Sequence, residues 1–299
     1  MSRRIIFFIN PVSGTRAKIT LEKKIINACT LRDISFEILF TSADGQYHFL
    51  REKTKQEGIT DVVICGGDGS ISPVIAALLP CKVNIGIVPV GSGNGLARAA
   101  GIPMDTDKAL QLIFDGNAAS TDAILINGRL CCHLCGLGFD AQVAHDFARQ
   151  KTRGLSTYIK ETTKNFIKAP FWSFDLVIEN KTIPVDAFLL CVANSNQFGN
   201  NITIAPQASL SDGLMDIVVI KQTNRPRLLF EFARQLLSGK IIPVDMDDSD
   251  NNKVLYYQSS AVTIKNKSSA PLHIDGDPVT TADELVIEML PSAYRLIQP

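Results

Sequence analysis

Two glycine-rich turns carry residue types that could bind an anion. Val62-Val63-Ile64-Cys65 runs into Gly66-Gly67-Asp68-Gly69-Ser70, and Ile85-Gly86-Ile87-Val88-Pro89-Val90 runs into Gly91-Ser92-Gly93-Asn94-Gly95. Glycine has no Cβ and tolerates positive φ, so successive N–H groups can converge on a phosphate. Ser70 is placed to cap a helix over Ile71 to Leu79, which would bring a partly positive helix N-terminus to the same spot. Asp68 sits inside this positive nest, where its charge repels a bare phosphate, and a divalent cation between the two makes the arrangement favourable. A tight strand-to-helix turn with a solvated aspartate explains one such turn equally well. Its repetition after a second buried strand favours phosphate. Neither turn is a dinucleotide fingerprint, because position 96 is Leu, and Gly239-Lys240 is followed by Ile rather than by the Ser or Thr of a P-loop.

Such turns need a sheet behind them. Ile5 to Ile9, Phe36 to Phe40, Val62 to Cys65 and Ile85 to Val90 read as strands, and Lys18 to Thr30, Gln46 to Gln56, Ile71 to Leu79 and a stretch opening at Leu96 read as helices. Uninterrupted apolar strands alternating with helices predict an α/β domain with a doubly wound parallel sheet. In such a sheet ligands collect at the carboxyl ends of the strands, where Asn10-Pro11-Val12-Ser13-Gly14, Thr41 and both glycine turns fall. A helix from Thr106 to Asp115 follows. From Thr121 short apolar runs succeed one another: Asp122 to Ile126, Arg129 to Cys135, Phe174 to Ile178, Ile183 to Val192, Met215 to Ile220, Val254 to Ser259, Ala261 to Lys265, Pro271 to Ile274 and Leu285 to Met289. They predict an all-β antiparallel sandwich, with the boundary near Asp122 and domains over 1–122 and 123–290.

Asn10 to Gly14, Gly66 to Ser70, Pro89 to Asn94 and Ser211-Asp212-Gly213-Leu214-Met215-Asp216, with His273-Ile274-Asp275-Gly276-Asp277-Pro278 near the end, together resemble the diacylglycerol kinase catalytic-domain family, which includes bacterial lipid kinases and sphingosine kinases. The resemblance covers nearly the whole chain. It implies an NAD kinase/phosphofructokinase-like nucleotide-binding fold for the first domain, a lipid-substrate role for the sandwich, and a return of residues 291–299 to the first domain. The implied activity is ATP-dependent transfer of the γ-phosphate to a hydroxyl of diacylglycerol or a related lipid. ATP is then expected at Asn10, Pro11, Val12, Ser13, Gly14, Thr41, Gly66, Gly67, Asp68, Gly69, Ser70, Ile71, Ser72, Ser92, Gly93 and Asn94. The resemblance also places Mg2+ at Ser209, Asp212 and Leu214, through the aspartate carboxylate and neighbouring backbone oxygens. The alternative is that Asp212-Gly213 merely turns a hairpin between Ile202 to Ala205 and Met215 to Ile220, and the metal is the preferred reading.

Asp68 and Asp277 are the carboxylates expected to act in catalysis. Asp277 matches the position where the bacterial lipid kinases carry a glutamate taken to be the proton acceptor; aspartate is one methylene shorter. Ser72-Pro73 stands where many members have Asn-Glu, and a proline at the second or third helical position costs little. An NAD kinase or other small-molecule kinase shares the Gly-Gly-Asp-Gly turn. A member that binds nucleotide or lipid without catalysis is the non-enzyme alternative, motivated by Pro73 and Asp277.

The whole chain sets further bounds. With 299 residues, 45% of them hydrophobic, it can bury two ordinary cores, and its 30 basic and 30 acidic residues give no overall field that would draw nucleic acid. Seven cysteines scattered through apolar segments read as reduced core residues of a cytoplasmic protein. Cys131, Cys132, His133 and Cys135 lie on a strand-like run without a second ligand pair, which argues against zinc. Two insertions interrupt the sandwich. Asp140 to Lys168 is helical in pattern, with Lys160, Lys164 and Lys168 on one face before Phe171-Trp172; this is either a solvated face or a peripheral membrane contact. The second, a helix from about Arg225 to Ser238, leads to the acidic run Asp245 to Asp250, which lacks EF-hand spacing. The acyl chains and the oligomeric state are not readable, and a homodimer is compatible with everything above.

Overall fold

The computed structural model describes residues 3–11, 15–42, 45–149, 169–199, 202–221 and 254–299. The chain divides into two compact units, Met1–Thr121 with Ser292–Pro299, and Asp122–Pro291.

The first unit runs β1 (Arg4–Ile9), α1 (Thr15–Thr30), β2 (Ser35–Phe40), α2 (Phe49–Glu57), β3 (Asp61–Gly66), α3 (Asp68–Leu78), β4 (Asn84–Pro89), α4 (Gly95–Ala99) and α5 (Thr106–Asp115). Its strands are parallel in the order β4-β3-β1-β2. Arg295 and Leu296 of the C-terminal segment add to β4 in parallel, opposite Asn84 and Ile85. Ile5 to Ile9 and Val62 to Cys65 are fully buried. Leu21 and Ile25 of α1, Leu50 of α2, Val74 and Ile75 of α3 and Ile113 of α5 are buried with them. That is why the central strands are apolar without alternation: both faces are covered. Truncating one of these side chains, Phe8 for example, would cost about 3–5 kcal/mol.

Two expectations at α3 are corrected. The helix starts at Asp68, with Gly67 in the capping position and no side-chain cap, so Ser70 lies within the first turn. Pro73 is consequently the sixth helical residue, inside the helix, where its missing N–H removes an i→i−4 bond that the second or third position would not have needed. Gly66, Gly67 and Gly91 also lack positive φ, whereas Asn94 has it, at 52°.

The second unit is built from the end of β5 (Asn117–Ile126), β6 (Arg129–Cys131), β7 (Leu134–Gly138), α6 (Phe139–Ala148), β8 (Trp172–Ile178), β9 (Lys181–Ala193), β10 (Gln197–Gly199), β11 (Ile202–Thr203), β12 (Met215–Lys221), β13 (Val254–Ser259), β14 (Ala261–Asn266), β15 (Leu272–Ile274), β16 (Asp277–Val279) and the first part of β17 (Glu284–Gln298). β7, β8, β9, β12, β13, β14, β15, β16 and the first part of β17 pair antiparallel. The long β9 changes partners along its length: Lys181 to Ala187 pair with β8, and Leu189 to Ala193 lie between β7 and β12. Its buried residues Leu190, Cys191 and Val192 join Phe174, Leu176, Ile217, Val219 and Ile287 in one core.

The run expected from Arg129 to Cys135 is two strands, split at Cys132-His133. None of the seven cysteines is in a disulfide, and burial pushes the thiols of Cys65, Cys131, Cys135 and Cys191 far above the ordinary thiol range. The lysine stripe at 160, 164 and 168, the helix expected near 225–238 and the acidic run 245–250 lie outside the described residues. Among the described residues no helix is long and apolar enough to cross a membrane.

Candidate active site

Parallel register delivers the strand exits of the first unit to one level. Asn10 N–H donates to Cys65 O at 3.0 Å, Val90 N–H to Gly66 O at 3.1 Å and Thr41 N–H to Ile9 O at 3.0 Å. The loops after β1, β2, β3 and β4 therefore emerge side by side. The two glycine turns touch: a Cβ on Gly91 would lie 2.4 Å from the Cα of Gly67, a distance no real Cβ contact shows. Absence of a side chain, not positive φ, is what the crossing demands of these glycines. Asn94 takes the left-handed conformation and closes its own loop, its Oδ1 accepting from Gly91 N–H at 3.0 Å and its Nδ2 donating to Gly91 O at 2.9 Å. The first loop is tied in by Asn10 Nδ2, which donates to Ser70 Oγ at 2.9 Å.

Asp68 is where geometry changes the chemistry expected of it. Its Oδ2 accepts from Gly95 N–H at 2.9 Å and its Oδ1 from Leu96 N–H at 3.1 Å. The carboxylate spans from the start of α3 to the start of α4 and locks the two turns together. The two backbone donors stabilise its charge where it stands. Of the other residues expected at the nucleotide, Ser92 is exposed, and Thr41, Gly67, Gly69, Ser70 and Gly93 are part-exposed around the crossing. Ile71 and Ser72 are buried. Pro11 is exposed; Val12, Ser13 and Gly14 lie outside the described residues. This arrangement fits a phosphate group: side-chain-free backbone at strand ends, with the Asp68 carboxylate beside it held by two backbone N–H groups.

In the second unit β15 and β16 form a hairpin with Ile274 opposite Asp277. The two turn residues are Asp275 at φ 52° and Gly276 at φ 83°, the Asp-Gly pair that a type I′ turn selects. Asp277 is thus the first residue of β16, exposed, rather than a residue of the turn. The turn aspartate, Asp275, is the residue that sequence reasoning passed over. It is buried and accepts backbone N–H groups from Cys132 at 3.2 Å, His133 at 2.9 Å and Leu134 at 3.2 Å. Those donors precede it by some 140 positions, so nothing local in the sequence announces them.

The loop before β12 also differs from one of its two readings. Asp212-Gly213 does not turn a hairpin, since β12 pairs with β9 and β13, and β11 pairs with β10. Asp212 is exposed; its Oδ1 accepts from Leu214 N–H at 3.0 Å, and Ser209 Oγ accepts from Ser211 N–H at 3.4 Å. Buried Asp122 fixes the loop, its Oδ2 accepting from Gly213 N–H at 2.8 Å. No group of three or more His, Cys, Asp or Glu residues able to hold a metal occurs among the described residues. One exposed carboxylate with backbone oxygens fits a magnesium ion that keeps most of its water, and does not fit a cation needing a full protein cage. Four residues on, Asp216 is buried, accepting from the Tyr256 hydroxyl and from Gln258 Nε2 at 3.2 Å. Burial pushes its carboxyl up to about 6, and Asp212 adds to the rise.

Comparison with known proteins accounts for this geometry. Residues 4–126 match the diacylglycerol kinase catalytic domain, and residues 134–298 match the YegS C-terminal NAD kinase beta sandwich-like domain. A protein of Escherichia fergusonii named "Probable lipid kinase YegS" is 26% identical over 293 residues, 90% of this chain and 89% of its own. A Synechocystis protein, sll0036, is 26% identical over 307 residues, 97% of this chain and 69% of its own. A crystal structure of a diacylglycerol kinase from Bacillus anthracis superposes with a TM-score of 0.74 at 18% identity, over 99% of this chain and 97% of that one, a likeness of fold. With both of its parts matched in order, this chain belongs to the diacylglycerol kinase catalytic-domain family, in the form that carries a YegS-type beta sandwich-like domain behind the catalytic one.

Proposed function

We propose that the protein is an ATP-dependent lipid kinase that transfers the γ-phosphate to a hydroxyl of diacylglycerol or a related lipid. The observation that carries this reading is the glycine-on-glycine crossing of the two turns at the strand ends, in a chain of the diacylglycerol kinase catalytic-domain family. Backbone N–H groups around Gly67 to Ser70 and Ser92 to Asn94 cradle the phosphates, and Asn10 steadies the cradle through Ser70. Asp68 acts by holding the crossing in place through Gly95 and Leu96. Asp277, exposed at the head of β16, takes the proton from the attacking lipid hydroxyl, a role worth roughly a hundred to ten thousandfold in rate. Mg2+ carried with the nucleotide supplies charge neutralisation for the transferred phosphoryl group. A separate Mg2+ would be held by Asp212 with backbone oxygens of the Ser209-to-Leu214 loop. The protein works from the cytoplasm at the membrane surface, where its acceptor resides.

Incubating the protein with γ-labelled ATP, Mg2+ and, in parallel, diacylglycerol, monoacylglycerol, phosphatidylglycerol, sphingosine and NAD tests the reading. Label is expected in one or more glycerolipids. Label in NAD alone would replace the reading by a small-molecule kinase, and label in no acceptor, with ATP still bound, by a binding protein.

A further inference from the structure

Behind the Asp277 hairpin lies a pair of buried polar side chains that the proposed chemistry does not use. His273, in β15, and Asp140, in the first turn of α6, are each only 3% exposed at the side chain, with Nε2 and Oδ2 3.0 Å apart. On its other side, His273 Nδ1 accepts from Gly276 N–H at 3.3 Å. With Nδ1 as the acceptor, the ring hydrogen belongs on Nε2, which faces Asp140. Asp140 is oriented in turn by Ala141 N–H, which donates to its Oδ1 at 2.8 Å. A directional chain therefore runs from the start of α6 through the imidazole to the backbone of Gly276, the residue before Asp277.

The molecule makes room for this chain. Gly136 of β7 lies opposite His273, and a Cβ there would stand 1.7 Å from Asp140 Oδ2 and 2.6 Å from His273 Nε2. A core histidine with no special duty is the simpler explanation, and two observations weigh against it. The Asp275-Gly276 turn is already specified by its own residue types and by the three N–H donors on Asp275, so the hairpin needs no second anchor to form. Burying a carboxylate and an imidazole is also costly, and an apolar pair of the same volume would serve packing as well. What the chain adds is direction: it fixes the peptide between Asp275 and Gly276, one residue before the Asp277 side chain.

We infer that His273, locked in one tautomer by Asp140 over Gly136, is a positioning residue for Asp277, setting the aim of its carboxylate through the Gly276 N–H. The inference rests on the reading of Asp277 as the proton acceptor. Because the coupling passes through Nδ1, what matters at position 273 is an acceptor at that atom's place. His273→Asn keeps one there; His273→Gln places its amide further out, towards Asp140, and His273→Ala keeps nothing.

The experiment measures kcat, KM for ATP and the melting temperature of these three variants and of Asp277→Asn on the best glycerolipid acceptor. Expected are a 10- to 100-fold fall in kcat for His273→Ala and His273→Gln, a kcat within about threefold of wild type for His273→Asn, and an unchanged KM for ATP in all three. If His273→Ala does not fold, the comparison of Asn with Gln decides, a tenfold advantage for Asn being required. Equal kcat for Asn and Gln, or losses that follow melting temperature instead, would overturn the inference while a dead Asp277→Asn left the proton-acceptor reading standing. A fully active Asp277→Asn would overturn both.

Discussion

The two units organise their polar groups in different ways. In the first, the site is made of backbone: glycines cross where a Cβ would clash, and the Asp68 carboxylate is met by two N–H groups 27 and 28 positions away. In the second, buried side chains reach across the fold, Asp275 to the 132–134 backbone and His273 to Asp140 over 133 positions. A backbone site can tolerate no added atoms but is insensitive to titration. A side-chain site depends on the polar atoms it brings together and on the space left for them, as at Gly136. The same difference decides which substitutions each unit survives.

The sharpest way to break this comparison is Gly91→Ala. The new Cβ would meet the Cα of Gly67 at 2.4 Å, backbone against backbone, so the crossing must open. The variant is expected to lose the rise in melting temperature that ATP gives the wild type, and with it all turnover; a normal ATP response would show that the crossing is not the phosphate cradle. Asp68→Asn comes next. Its amide turns a donor towards one of two N–H donors, which costs about 1–3 kcal/mol at the junction of α3 and α4. Turnover should fall by about tenfold to a hundredfold and the melting temperature by several degrees. A variant inactive but fully stable would return Asp68 to direct chemistry.

For the second unit the informative change is in pH. The Asp216 carboxyl, raised by burial from 3.8 to about 6, binds its proton more tightly in the folded chain than in the unfolded one. Between these values the unfolded chain has already ionised while the folded one must still do so, so stability falls as pH rises and the loss is complete above about pH 7. The gap between the two values corresponds to at most about 3 kcal/mol. Asp216→Asn removes this dependence: relative to wild type, its stability in urea should improve by at most about 2 kcal/mol between pH 4.5 and 7.5. A difference flat with pH would contradict the burial argument. The smallest effect is expected at Asp212→Ala, which should abolish any Mg2+-dependent rise in melting temperature through linkage. An unchanged Mg2+ response would remove the loop from Ser209 to Leu214 as a cation site.

How much of this could be read from the chain follows the same division. The strands and turns of the first unit are contiguous motifs, and the apolar runs of β1, β3 and β4 and the helix from Thr106 to Asp115 stand where the pattern puts them. The start of α3 was hidden because Asp68-Gly69-Ser70 are poor helix formers, held helical here by the contact to α4. In the second unit β16 is three residues long and contains a proline, too short for any periodicity. Asp275, Asp140 and His273 find partners far away in the chain, and an isolated aspartate before glycine looks the same whether it is solvated or buried beneath three N–H groups.

One paired measurement bears most directly on the kinase reading: phosphate transfer from labelled ATP to diacylglycerol by wild type and Asp277→Asn, with ATP binding followed in the same samples by melting temperature. Turnover on the lipid should drop a hundred to ten thousandfold in the variant while the ATP-induced shift is retained. Equal lipid phosphorylation by both proteins, or none by either despite bound ATP, would contradict it.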